Sequence, residues 1–115
     1  MSLIYISGPY STGDHLENVN KAIDVADQIA MARHDCYIPH LNHYWGERHE
    51  HPYDFWMKQD IAVLVKCDAL VRLPGISHGA DIEWNEAAKL GIPVFVWTKS
   101  LPIHLDGFID FWNRK

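Results

Sequence analysis

Positive charge is scarce in this 115-residue chain: ten lysines and arginines stand against fifteen aspartates and glutamates, a formal net charge of -5 at neutral pH. Such a surface has no general cationic face with which to neutralise a phosphate backbone by counterion release, which excludes nucleic acid as the expected partner. Long apolar runs are missing too. No stretch approaches the roughly 20 consecutive apolar residues that span a bilayer. The opening Met1-Ser2-Leu3-Ile4-Tyr5 places no basic segment ahead of an apolar one, so the expectation is a cytoplasmic protein with no membrane partner. Only two cysteines occur, Cys36 and Cys67, far apart and each beside an apolar run. They read as reduced core thiols and not as a disulfide or a CxxC redox pair. The chain has neither the GxGxxG dinucleotide pattern nor the GxxxxGK[ST] phosphate loop, so hydride transfer and nucleoside-triphosphate hydrolysis lack their usual sequence support.

What is present is ordinary globular composition, 48% hydrophobic and 22% charged, in a length that suits one domain spanning residues 1–115. Short apolar runs alternate with helical periodicity. Residues 3–6 read as a buried strand, followed by the turn-rich loop Ser7 to Gly13. Asp14 and Glu17 have capping-box spacing, and Leu16, Val19, Ala22, Ile23, Ala26, Ile29 and Ala30 lie on one helical face to about Arg33. Residues 36–38 form a second strand stopped by Pro39, and His40 to His51 reads as a loop. Pro52 opens a second helix that runs to about Val65, residues 69–73 form a third strand, and a third helix covers about Gly79 to Leu90 with Gly91 at its end. Residues 93–97 make a fourth strand, and about His104 to Trp112 a last short helix.

Strands joined by helical crossovers run parallel with right-handed connections, which predicts a small doubly wound α/β sheet, helices on both faces, in order 2-1-3-4. Ligands bind such sheets outside the carboxyl ends of the strands where the order reverses, so residues 7–13 and 74–79 should face one crevice. Two carboxylates fall where the helical pattern wants apolar residues. Asp60 sits on a stripe with Tyr53, Trp56, Met57, Ile61 and Leu64, and Glu83 on one with Ala80, Trp84 and Ala87. Burying an unpaired carboxylate costs several kcal/mol, so the pair is either satisfied at a helix edge or kept for chemistry. Two carboxyl groups near a sugar suit cleavage of a glycosidic bond. Ser77, Gly79 and Ala80 open a helix whose free amides and dipole favour an anion, with Ser7, Gly8 and Ser11 on the facing loop.

His40, His43, His49 and His51 have spacings that would suit a metal, but no cysteine joins them, and they read as surface or substrate-contacting groups with no metal assigned. Trp45 and Trp56 are either ordinary core and rim aromatics or groups that stack on a base or close a subunit contact. The five tryptophans and the open sheet edge point to at least a homodimer.

Residues 4–11 (Ile-Tyr-Ile-Ser-Gly-Pro-Tyr-Ser), Asp60, Cys67-Asp68-Ala69-Leu70 and Ser77-His78-Gly79-Ala80-Asp81-Ile82-Glu83 together resemble the nucleoside 2-deoxyribosyltransferase superfamily. The chain is most similar to a small bacterial and phage branch that resembles the 2′-deoxynucleoside 5′-phosphate N-hydrolases. The resemblance implies a flavodoxin-like fold, homo-oligomers, and cleavage of an N-glycosidic bond without metal or organic cofactor. It places Glu83 on the nucleophile, Asp60 on the helix-borne catalytic aspartate and Tyr5 on the tyrosine that orients the nucleophile. Ser77 and Gly79 fall on the segment that holds a 5′-phosphate in the hydrolases. Two features depart from that branch: Pro9 stands where the hydrolases carry serine, and Tyr10-Ser11-Thr12-Gly13 replaces their arginine- and glycine-rich loop.

The expected function is therefore cleavage of the N-glycosidic bond of a nucleoside or deoxynucleoside 5′-monophosphate, with Ser7, Gly8, Pro9, Ser11, Ser77, Gly79 and Ala80 contacting substrate. Base exchange between nucleosides is the alternative from the same chemistry. A non-catalytic nucleotide-binding module and a structural interaction protein are the alternatives from other classes.

Overall fold

The computed structural model describes residues 2–98. Four parallel strands form one sheet: β1 (Leu3–Ser7), β2 (Asp35–Tyr37), β3 (Ala69–Arg72) and β4 (Val94–Val96), in the order β2-β1-β3-β4. This is the doubly wound order expected from the sequence. The chain steps outward from β1 through helix α1 (His15–Met31) to β2, then returns through α2 (Asn42–Arg48) and α3 (Tyr53–Leu64) to β3 on the other side. Helix α4 (His78–Lys89) connects β3 to β4.

Reversing direction while keeping right-handed crossovers sends successive helices to opposite faces. One apolar layer joins Ile4, Ile6 and Val71 to Val19-side residues of α1 such as Ala22, Ala26 and Ile29. The other joins Tyr5 and Leu70 to Leu64 of α3 and Ala87 of α4. Residues 4, 5 and 6 thus alternate between layers, as the period-2 geometry of a strand requires. No helix among the described residues is long and apolar enough to cross a membrane.

Local chemistry sets the helix ends. The Asp14 carboxylate accepts from the Glu17 amide at 3.0 Å, and the Ser77 hydroxyl accepts from the Ala80 amide at 3.1 Å. Helix α4 closes with Gly91 at φ 72° and bonds from Gly91 N to Ala88 O and from Ile92 N to Ala87 O, the paired C-terminal bonds of a left-handed cap.

Three expectations need correction. The segment from His40 to His51 is not a loop: a 3-10 turn at Pro39–Leu41 leads into α2. Its polar sequence hid a helix supported by aromatic packing, with Trp45 edge-on to Trp56 at 5.1 Å. The buried stripe of α1 is Val19, Ala22, Val25, Ala26 and Ile29, whereas Leu16 and Ile23 face outward, because one sheet face covers a narrower arc than the apolar residues occupy. Trp84 on α4 is likewise exposed. The expected helix near residues 104–112 lies outside the described residues.

The β3–α4 loop is tight. Gly75 adopts φ 116°, and a Cβ there would lie 2.8 Å from Pro9 Cγ. Gly75→Ala is expected to cost about 1–3 kcal/mol, since it combines a strained backbone with a ring that cannot move aside easily. Thermal unfolding followed by circular dichroism checks this, and an unchanged melting temperature would contradict it.

Candidate functional site

Strand alternation puts positions 5 and 7 of β1 on the same face, the one covered by α4. Both side chains there carry hydroxyls, and both reach the same carboxylate. The Tyr5 hydroxyl donates to Glu83 Oε2, and the Ser7 hydroxyl donates to Glu83 Oε1 at 2.7 Å. Tyr5 and Ser7 are fully buried, and Glu83 is 5% exposed. Glu83 sits on the inward stripe of α4 with Ala80 and Ala87, two small residues that allow the helix to approach the sheet closely enough for these bonds.

Asp60 comes from α3 and is half-buried. The Asn42 side-chain amide donates to its Oδ1 at 3.4 Å. Burial, followed by the charge of Glu83, lifts the Asp60 carboxyl from 3.8 to about 7, while a Tyr37 hydrogen bond pulls the other way. Burial also raises Glu83, but two hydroxyl donors and the positive Arg72 oppose it. Tyr5 is pushed upward by burial and by the neighbouring carboxylates, so its hydroxyl stays a proton donor. The charged form of Glu83 is favoured by two hydroxyls and a cation, and that of Asp60 by the side chains of Tyr37 and Asn42.

The two carboxylates open into a crevice of about 520 Å³ at the carboxyl end of the sheet. Its walls are the first loop (Gly8, Tyr10, Ser11, Thr12), α2 with the turn before it (Pro39, His40, Asn42, His43, Gly46), the α3 side (His51, Tyr53, Trp56, Met57), and the α4 start (Ser77 to Ala80). Gly8, Ser11, Ser77, Gly79, Ala80, Asp60 and Glu83, singled out in the sequence, all line this one cavity.

Two of the expected substrate contacts sit elsewhere. Ser7 is not among the lining residues, and its hydroxyl is engaged by Glu83 Oε1. Pro9 is not among the lining residues; its ring packs against Gly75 and its carbonyl lies 3.2 Å from His40 Nε2. The Ala80 amide is already engaged by Ser77, which leaves the amides of His78 and Gly79 ahead of the first intrahelical bond.

Sequence reading missed Asn42 and Tyr37, while His43 and Tyr10 fall in the histidine cluster and the first loop that it had marked. Pro39, Asn42, His43 and Gly46 all line the cavity at helical spacing, a periodicity without large apolar side chains that apolar pattern-matching passes over. The histidines separate. His40 is buried, His43 lies 2.6 Å from the Tyr10 hydroxyl, and His51 stacks on Phe55 at 3.8 Å between ring centroids. Among the described residues no group of three or more His, Cys, Asp or Glu side chains is arranged to hold a metal. Among the described residues the cavity is lined by two carboxylates and by no lysine or arginine.

Residues 2–96 match the family described as a domain of unknown function, DUF4406. No curated protein matches the chain. Among solved structures, a 2-deoxyribosyltransferase from the psychrotolerant bacterium Bacillus psychrosaccharolyticus is similar in fold, with TM-score 0.61 and 20% identity over 89% of this chain and 76% of that one. A conserved protein from Enterococcus faecalis V583 aligns with TM-score 0.63 and 25% identity over 98% of this chain and 75% of that one.

Proposed function

The chain belongs to the DUF4406 family, and from its site geometry we propose that it cleaves the N-glycosidic bond of a nucleoside or deoxynucleoside 5′-monophosphate. The observation that carries this reading is the buried Glu83, held through both oxygens by Tyr5 and Ser7 and facing a half-buried Asp60 across the same cavity. The fold likeness to a 2-deoxyribosyltransferase supports the same chemistry.

In this reading Glu83 Oε attacks the anomeric carbon as the bond to the base nitrogen breaks, giving a glycosyl-enzyme ester. Tyr5 fixes the carboxylate for in-line attack. Asp60 supplies the proton that the departing base takes up. Water then attacks the anomeric carbon, Asp60, now ionised, accepts its proton, and Glu83 leaves as the carboxylate. The raised Asp60 value suits this exchange, since a group near 7 both gives and takes a proton at neutral pH.

Base exchange is a second reading that one observation favours. Among the described residues no lysine or arginine lines the cavity, so an uncharged nucleoside meets no missing counter-charge from them, and a second base would replace water in resolving the ester. The two readings separate at Ser77. A 5′-phosphate at the start of α4 would draw on the Ser77 hydroxyl and the amides of His78 and Gly79, in charge-assisted bonds worth roughly 1.5–3 kcal/mol each. The test is to follow free base by chromatography over a panel of nucleosides and their 5′-monophosphates. The monophosphate is expected to be preferred, and Ser77→Ala to weaken its turnover about tenfold while sparing nucleosides, since 1.4 kcal/mol is a factor of ten. Preference for nucleosides by the unaltered protein would transfer the assignment to base exchange. Nucleotide binding by calorimetry with no base released from any compound would leave only a binding module.

A further inference from the structure

Arg72 ends β3 with a side chain buried to 8% exposure, an uncommon place for a residue that seldom leaves solvent unpaired. It is the strand partner of Ser7, and the Leu73 amide next to it donates to the Ser7 carbonyl at 2.7 Å. Its guanidinium is spent on the segment that follows. Nη1 donates to the Leu73 carbonyl, Nη2 donates to the Gly75 carbonyl at 3.0 Å, and Nη2 also meets Asp81 Oδ1 at 3.4 Å. Residues 73–75 lead directly into Ser77 and α4, and Asp81 is in the first turn of that helix. One side chain therefore ties the end of the strand, the loop and the helix that carries Glu83.

We propose that Arg72 is a positioning residue for this site: its planar fork pins the β3–α4 segment, and its charge is the counter-ion of the buried Glu83. This rests on the functional reading given above. Among the described residues, the groups that act on Glu83 are Tyr5 and Ser7 from β1, Tyr37 from β2, Asp60 and Tyr53 from α3, and Arg72 from β3, and of these Arg72 is the cation. Asp81 is largely exposed, so its pairing with Arg72 is screened by solvent and adds little. The carbonyl bonds are the ones that a point charge on a flexible stem cannot reproduce, which makes lysine and arginine separable here.

The experiment uses Arg72→Met and Arg72→Lys in the full chain, with two readouts. The first needs no turnover: carbon-13 NMR titration of the Glu83 carboxyl, assigned by its absence in Glu83→Gln. Arg72→Met removes the cation and is expected to move that titration upward by about one pH unit, a tenfold change in proton affinity. Arg72→Lys keeps the charge and should leave the titration near that of the unaltered protein. The second readout is the pH profile of base release. Its acid limb, where Glu83 must lose its proton, should rise with the titration in Arg72→Met and stay in place in Arg72→Lys. KM should rise at least fivefold in both, because both lose the fork on the Leu73 and Gly75 carbonyls.

An unmoved Glu83 titration in Arg72→Met would overturn the counter-ion role, and an unchanged KM in Arg72→Lys the pinning role. If Arg72→Met does not fold, Arg72→Gln takes its place, and an unmoved Glu83 titration there would overturn the counter-ion role. If the unaltered protein releases no base from any compound, the functional reading fails, and the NMR titration still decides the case of Arg72.

Discussion

Glu83→Gln is expected to abolish base release, with a loss of about a thousandfold or more in kcat, while the protein remains folded. The amide keeps the shape of the carboxyl and removes the attacking charge. One of its two ends can still accept from a strand hydroxyl; the other cannot, and an unmet buried partner costs about 1–3 kcal/mol. Relief of a desolvated charge works in the opposite direction, so the melting temperature should change by only a few degrees. Single-turnover assays by chromatography, paired with circular dichroism, check both halves. Loss of activity by less than tenfold would remove Glu83 from the nucleophile's role.

For Asp60 the expected signature is a pH profile. A proton donor at about 7 predicts that base release falls as pH rises through that value. In Asp60→Asn this alkaline limb should disappear, and the loss of rate, about 10²-fold or more, should be greatest for bases that leave poorly as anions. The same substitution has an opposite effect on stability. A carboxyl raised in the folded state contributes stability below its unfolded value of 3.8 and loses it as pH climbs through about 7. Asn carries no such penalty, so at pH 8 Asp60→Asn should melt higher than the unaltered protein. Equal rate losses for every base would reduce Asp60 to a group that places substrate. A higher melting temperature with unchanged activity would leave it a tolerated polar residue.

The order β2-β1-β3-β4 was legible because each crossover leaves a strong local trace: strand-like runs at 3–6 and 69–73, the Asp14 and Ser77 caps, and Gly91. Asp60 and Glu83 stood out because they interrupt apolar stripes. What escaped was contact between segments. Nothing in the run from Tyr5 to Ser7 says that residue 7 faces a helix 76 positions later instead of the substrate. Arg72 lies inside the expected strand 69–73 without a signal of its own, and its fork on the Leu73 and Gly75 carbonyls shows only in the structure. Helix α2 escaped for a different reason, since its inward face turns toward the cavity and is polar for that purpose.

The bonds from Tyr5 and Ser7 to Glu83 close spans of 78 and 76 residues. Contacts at such separation form only after the intervening chain has been ordered, because the entropy of closing a loop must be met before its contacts return anything. The amino-terminal strand therefore waits for α4, the penultimate element of the described fold, before its hydroxyls find their acceptor. No fragment that ends at β3 contains the carboxylate cradle, and none is assembled by local structure alone. Competence at this site is a property of the completed sheet, acquired together with cooperative folding and lost with it.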